Sequence, residues 1–395
     1  MSREPFLPPP ELPAEILAIA RRLEEAGYET WAVGGALRDE LLGIPRGDYD
    51  LATAATPEVV QQLFRHTVPV GVQHGTVGVL DPDRRLHEVT TFRRDVRTDG
   101  RHAEVEFGVS LDDDLARRDF TINALAYHPL KRRWADPFRG HQDLVAGVVR
   151  AVGNPVARFR EDFLRILRAI RFAARFDFEI EPMTWSAAVD AAPGLASLSA
   201  ERVRDEWFKS LRTARSLTRL VRLWHDAGAA PVWLPELYPE WPGAAVPPED
   251  RDPVILTTVA AQSPAAVLHR LRASNQEIDR AESVERGPAA PASSDPAAVR
   301  RWLARVGDAA DDLALAARYR GGESPRWTEG VRGIRERGEA TRRGELAIGG
   351  HDLVAMGIPA GPALGALLDR LLEAVVADPS LNTREKLTAL ARSLA

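Results

Sequence analysis

Glu29-Thr30-Trp31-Ala32-Val33-Gly34-Gly35-Ala36-Leu37-Arg38-Asp39, followed nine residues on by Asp48-Tyr49-Asp50-Leu51-Ala52, decides how the chain is read. Glu29–Val33 is a short strand that runs straight into Gly34-Gly35, and a helix from Ala36 to Leu42 closes at Gly43. Two glycines between a strand and a helix let backbone N–H groups approach an anion at the positive end of the helix dipole. Arg38, in the first turn, adds a charge-assisted fork for phosphate. Asp48–Ala52 alternates as a second strand, and residues two apart in a strand share a face, so Asp48 and Asp50 are expected to project together. Two hard oxygen donors on one face suit Mg²⁺, which keeps several waters and takes phosphate oxygens as further ligands. Glu88, on the expected strand Leu86–Phe92, is a third acid able to complete the site. A lone D-x-D or G-G pair is commonly a turn; strand, G-G-x-x-R-D and D-x-D in succession is far more specific.

Outward from this stretch, Glu11 to Gly27 spaces Ile16, Ile19, Ala20 and Leu23 as one helical face, with Gly27 as the stop. Thr56-Pro57 starts another helix, and Val68–Val72, Thr76–Leu80 and Leu86–Phe92 read as strands between turn residues. Past about residue 130 everything reads as helical, with apolar stripes along Arg158–Phe176 and Arg202–Trp224. Linkers are expected at 242–253 and 287–296, and Leu353–Leu394 reads as one or two amphipathic helices. The expected class is α+β: a mixed-sheet head (1–135) followed by an all-helical remainder, divided at 136–215 and 216–395.

The composition narrows the chemistry. At 395 residues, 45% apolar and 28% charged, the chain exceeds what one core usually holds. It has no cysteine, which excludes disulfides, thiolate nucleophiles and Cys-based metal sites. No apolar run suits a membrane span and the N-terminus lacks the pattern of a signal peptide, so a cytoplasmic protein with no membrane partner is expected. The net charge of −5 argues against binding polyanions through bulk charge. Yet 49 of the 52 basic residues are arginine, and none of the three lysines follows a glycine, which excludes a Walker A loop. Residues 155–175 hold six Arg against Glu161 and Asp162; residues 202–222 hold seven basic residues against Asp205 and Glu206. The 202–222 patch and the arginines from Arg318 to Arg343 are the expected contacts for a polyanion. His225-Asp226 and His351-Asp352 each stand without the further His and Asp ligands of a metal phosphohydrolase.

Several long motifs occur together and in order. They are Gly34–Asp39 with Leu42-Gly43, Asp48–Pro57, His74–Val77, Glu88–Arg93, Asp114–Ala126, Asp136–Phe138, Arg158-Phe159, Glu161–Phe172 and Ser199–Glu206. The chain thereby resembles the tRNA nucleotidyltransferase/poly(A) polymerase family, class II of the polymerase-β-like superfamily, densely from about 29 to 210 and thinly beyond. The resemblance implies an elongated neck, body and tail behind the head. Asp48 and Asp50 are implied as metal-holding catalytic residues with Glu88 as the third carboxylate, and Gly34, Gly35 and Arg38 as the triphosphate site. Arg118, Asp119 and Asn123 are implied to bind the nucleotide, Asp119 by accepting a ribose hydroxyl. Asp162 and Arg165 are implied to read the base, with Arg168 and Arg171 extending the same side of the helix. Arg donates only and ionised Asp accepts only, which complements the amine and bare ring nitrogen shared by cytosine and adenine and opposes uracil and guanine. The implied activity is template-independent addition of CCA to the 3′ end of tRNA from CTP and ATP, with Mg²⁺ as cofactor. A-adding or CC-adding enzymes are the alternatives, ahead of a poly(A) polymerase or a catalytically silent RNA-binding relative. The largely kept Arg94–His102 segment disfavours CC-only addition, and the intact acids disfavour the silent relative.

Overall fold

A computed structural model of the chain describes residues 7–44, 48–98, 103–292, 294–321 and 323–394. It divides into two compact units, Met1–Pro235 and Glu236–Ala395. No helix among the described residues is long and apolar enough to cross a membrane.

The first unit begins with α1 (Ala14–Glu25), whose buried residues are the expected Ile16, Ile19, Ala20 and Leu23; Gly27 ends it at φ +90°. There follow β1 (Thr30–Val33), α2 (Gly35–Leu41), β2 (Asp50–Thr53), α3 (Pro57–Leu63), β3 (Thr67–Gly71), β4 (Thr76–Leu80) and β5 (Leu86–Thr91). Next come β6 (Arg93–Thr98), β7 (Ala103–Phe107), α4 (Leu111–Ala116), β8 (Ala126–His128) and β9 (Arg133–Ala135). Seven strands form one mixed sheet in the order β3-β4-β5-β2-β1-β8-β9, in which only β2 and β5 run parallel. Leu51, Val77, Val79 and Val89 point to one face and form a core with Ile16, Ile19 and Leu23 of α1 and Val60 of α3. This is period-2 burial; on the opposite face Trp31, Val33 and Ala52 of β1 and β2 join a second core with Leu111 and Leu115 of α4.

The neck packs into the same unit. After α5 (Gly140–Ala146), β10 (Val148–Val149), α6 (Pro155–Glu161), α7 (Leu164–Phe176), β11 (Glu179–Ile180), α8 (Pro182–Ala191), α9 (Ala200–Thr213) and α10 (Leu217–Asp226) follow. Phe172 and Phe176 of α7 bury against Phe120, Ile122 and Leu125, so the neck helix and the head share a core. The sequence places the start of the body at 216, whereas the compact units divide after Pro235, because α10 packs on α7 and Arg219 pairs with Asp177 at 2.6 Å.

Four features differ from the sequence reading. The second strand begins at Asp50, not Asp48. The helix read across Arg158–Phe176 is two helices, because Asp162 takes an extended conformation (φ −155°, ψ 107°) and its carboxylate accepts the Leu164 N–H at 3.0 Å, starting α7 anew. Arg202–Trp224 breaks likewise at Ala214, with the Ser216 side chain capping α10. Three short strands, β9, β10 and β11, lie in the stretch read as helical, and β6 carries the start of the Arg94–His102 segment, of which residues 99–102 lie outside the described residues. Strands of two or three residues give no periodic signal to read.

The second unit is helical. Trp302, Leu303, Trp327, Val331 and Ile334 form one core there, and Leu353, Leu367, Leu371, Val375 and Leu387 another. The stretch read as one or two helices over Leu353–Leu394 holds Pro362–Ala377 and Arg384–Leu394, while Leu353 lies on a separate short helix, Gly350–Ala355. The expected linker at 242–253 is packed chain: Ala244 N–H donates to the Tyr319 carbonyl at 2.8 Å and the Tyr319 hydroxyl to the Asp250 carbonyl at 2.5 Å.

Candidate active site

The β1–α2 junction sets the centre. Gly34 has φ +89°, a conformation L side chains rarely adopt, and a Cβ there would stand 3.1 Å from the Asp50 Oδ2. A Cβ on Gly35 would stand 3.1 Å from an Arg38 guanidinium nitrogen. The diglycine therefore brings the start of α2, the Asp50 carboxylate and the Arg38 head together with no side chain between them. Antiparallel pairing sets Val33 opposite Asp50, and parallel pairing of Leu51 with Val89 makes Asp50 and Glu88 neighbours on one face.

The acids converge on one face. Tyr49 turns into the core, which leaves Asp48 (exposed) and Asp50 (half-buried) on the other side, as the alternation requires even though Asp48 precedes the strand. Burial, then the charge of Glu88, and more weakly that of Asp48, push the Asp50 carboxyl up to about 6 against the pull of Arg118. Among the described residues no set of three or more His, Cys, Asp or Glu stands together as a metal cluster. Two carboxylates are what Mg²⁺ commonly takes from protein, with water and phosphate filling the remaining positions. A half-buried acid raised by like charges is the kind of group a divalent cation relieves, so the donor set fits.

Beside these acids lies a cleft of about 530 Å³ lined by Gly34, Gly35, Arg38, Asp50, Arg118, Asp119, Asn123, Asp162, Arg165, Arg168 and Arg171, together with Arg117, Leu164, Phe172, Arg175 and Arg202. Asp48 and Glu88 lie outside this lining, at its acidic margin. Eight arginines against three aspartates give the lining a positive excess suited to a polyphosphate.

Each arginine is held. Arg38, 4% exposed, is clamped by Asp39 (2.6 Å) and the Asn123 side-chain oxygen and lies on the Phe172 and Phe176 rings at 4.9 and 4.8 Å. Burial holds its pKa below the usual value, against the attraction of Asp39, which raises it. Arg175 reaches the other oxygen of Asp39 at 2.7 Å. Asp119 accepts from the Phe120 N–H (2.8 Å), Asn123 (2.9 Å) and Arg168 (2.7 Å). Burial alone would raise this carboxyl, but Arg168 and the hydrogen bonds outweigh it and hold it at about 2. A ribose hydroxyl would therefore share a carboxylate already engaged by the protein. Arg171, over Phe172 at 4.2 Å, donates to buried Glu206 at 2.6 Å. Arg118 donates to Asp114 and to the Asn123 carbonyl, both at 3.2 Å.

The Asp162–Arg165 pair is arranged differently from the expectation. Asp162 sits at the α6–α7 break and accepts from Arg202 at 2.7 Å, while Arg165 donates to Glu161 at 2.7 Å and to the Arg117 carbonyl at 3.1 Å. The two line one cleft as neighbours but do not share one helix face as an ion pair. Arg117, Arg175, Arg202 and buried Asp114 were not assigned to the nucleotide site from the sequence, although Asp114 and Arg117 lie in the Asp114–Ala126 motif and Arg202 in the 202–222 patch. Arg175 had a signal in its spacing: it continues the 168, 171 spacing by one further turn.

A family model described as Poly A polymerase head domain matches residues 30–150, and one described as probable RNA and SrmB-binding site of polymerase A matches 177–240. A CCA-adding enzyme of Leuconostoc mesenteroides is 35% identical over 399 residues, covering 97% of each chain. One from Geobacillus stearothermophilus is 34% identical, covering 95% of each. The crystal structure of the Bacillus stearothermophilus CCA-adding enzyme in complex with CTP superposes with a TM-score of 0.81 at 33% identity, covering 96% of each chain.

Proposed function

The chain belongs to the tRNA nucleotidyltransferase family of CCA-adding enzymes, and from that premise we propose how its own residues carry the reaction. The activity is metal-dependent, template-independent addition of CCA to the 3′ end of tRNA from CTP and ATP. The observation that carries the residue assignment is the meeting of Gly34, Asp50 and Glu88 at one edge of an arginine-lined cleft.

Asp48 and Asp50 hold the divalent cation, Mg²⁺, with Glu88 beside them. Such an ion compensates charge on the attacking and leaving oxygens of an in-line displacement. The triphosphate lies over Gly34 and Gly35 at the start of α2, and Arg38 takes its terminal oxygens. Arg118 and Asn123 bind the sugar end, with Asp119 shared between the ribose, Asn123 and Arg168. The base enters between Asp162 and Arg165, where the amine of cytosine or adenine meets an acceptor and its ring nitrogen a donor. The acceptor 3′ oxygen bonds to the α-phosphorus as the bond to the β-phosphate bridge breaks, and pyrophosphate leaves.

Gly34→Ala tests the junction. Holding an L residue at φ +89°, ψ −156° costs about 1–3 kcal/mol, and the new methyl presses on the Asp50 carboxylate. The variant is expected to fold, by circular dichroism, and to lose at least roughly ten-fold in kcat for CMP and AMP alike. A fully active variant would separate the diglycine from the chemistry.

RNA binding rests on the α9–α10 surface, within the segment matched by the second family model. Lys209, Arg212, Arg215 and Arg222 are exposed there. Many arginines of the other expected patch are in ion pairs, such as Arg335 with Asp311 and Arg337 with Glu339. Replacing Lys209, Arg212 and Arg215 by Glu is expected to weaken tRNA binding and flatten its dependence on salt, with CTP binding unchanged. Filter binding across a salt series measures this; an unchanged slope would place the RNA elsewhere.

A further inference from the structure

The sheet face that bears the acids continues past the cleft. Strand register sets Glu88 beside Asp50, Gly78 opposite Glu88 and Val68 opposite Gly78, one row across β2, β5, β4 and β3. The row becomes apolar as it leaves the acids: Val68, Val70 and Leu86 are 38, 43 and 41% exposed. Val70 and Leu86 close over Gly78, where a Cβ would stand 2.9 Å from Val70 Cγ2. A glycine in mid-strand under two aliphatic side chains leaves a level surface on the side away from the core formed by Val77, Val79 and Val89.

The cleft lies on the other side of β2. Gly34 and Gly35 follow β1, and β1 and β5 flank β2 on opposite sides. With triphosphate and base on the β1 side, the in-line requirement brings the attacking hydroxyl from the β5 side. We propose that the outer face formed by Val68, Val70 and Leu86, beside Glu88, seats the terminal nucleoside of the acceptor RNA. This rests on the nucleotidyl-transfer reading above. Asp48, Asp50 and Glu88 repel phosphate, so the part of RNA that suits this stretch is a sugar and base, whose apolar faces pack on aliphatic side chains. The β4–β5 turn carries exposed Arg84 and Arg85 directly before Leu86, beyond the acids, where the preceding backbone phosphates run.

The test uses tRNA lacking its terminal CCA and the full chain. Leu86→Glu is expected to raise KM for tRNA at least ten-fold while KM for CTP moves less than two-fold; Leu86→Met is expected to behave as wild type. If Leu86→Glu does not fold, Leu86→Ser together with Val70→Ser replaces it. A benzoylphenylalanine photoprobe at position 86 is expected to crosslink the 3′-terminal nucleotide of the tRNA. An unchanged tRNA KM in a folded variant, or crosslinks confined to distant parts of the tRNA, overturns the proposal. A change in sedimentation of the protein alone with unchanged tRNA KM also overturns it, by making the face a contact between copies of the chain. Failure of the wild-type protein to transfer C or A to any tRNA would instead defeat the functional reading on which the proposal rests.

Discussion

Asp50→Asn is expected to lower transfer of CMP and AMP together by roughly a thousand-fold or more, since several kcal/mol of charge compensation at the reacting oxygens would be lost. The same substitution is expected to stabilise the fold at neutral pH. The Asp50 carboxyl titrates at about 6, above its ordinary 3.8, because of burial first and Glu88 second. A carboxyl raised on folding binds more protons in the native state. Its ionisation therefore costs stability in full above pH 6, and the cost vanishes as pH falls through 4. Two pKa units correspond to about 3 kcal/mol, an upper bound on the gain from a neutral amide, and a rise of several degrees in Tm at pH 7. Thermal melts of both proteins at pH 4 and pH 7, beside activity assays, check both halves: the Tm difference present at pH 7 should close at pH 4. A variant that is inactive but less stable at pH 7 would mean that Asp50 is held by attractive contacts, not poised for a cation.

Asp162→Ala is expected to lower CMP and AMP incorporation together and to narrow the gap to UMP and GMP. Leaving one polar edge of the base without its partner costs roughly 1–3 kcal/mol, or about ten- to a hundred-fold in discrimination. Asp162→Asn, able to donate as well as accept, should relax the exclusion of UTP in particular. The structure adds a control. Asp162 is held by Arg202 at 2.7 Å, so Arg202→Ala removes that grip while leaving the acceptor in place. Incorporation of each of the four nucleotides into tRNA lacking its terminus should show base preference kept in Arg202→Ala and eroded in Asp162→Ala. Preference for C and A undiminished by Asp162→Ala would return this residue to a structural role at the α6–α7 break.

The parts of the site legible in the sequence are those encoded over short spans. Gly34-Gly35 before a helix and Asp48-Tyr49-Asp50 with its alternation each carry their geometry locally, and both occur where their spacing implied. What spacing did not reveal is long-range pairing. Arg38 with Asn123, Arg168 with Asp119, Arg175 with Asp39, and Asp162 with Arg202 join residues far apart in the chain; the packing of α7 on the head makes the second and third, contacts within the head the first, and the packing of α7 against α9 the last. The break at Asp162 was hidden for a related reason: the apolar period runs on through Phe159, Phe163, Ile166 and Ile170, while a single side-chain-to-backbone hydrogen bond at Leu164 restarts the helix. Buried Asp114, held to Arg117 at 2.8 Å and to Arg118 at 3.2 Å, is the last of three consecutive aspartates in the first turn of α4, and only its packing sets it apart from them.

The most direct test gives the wild-type protein three tRNA substrates, ending at the discriminator base, after one C, and after CC, with each labelled nucleotide supplied singly and then with CTP and ATP together. The expected result is CMP on the first two, AMP on the third, and termination at CCA when both nucleotides are present, with UMP and GMP not incorporated. Addition of AMP to the CC-ended tRNA alone, arrest at CC, or continued growth of an A tract would contradict it.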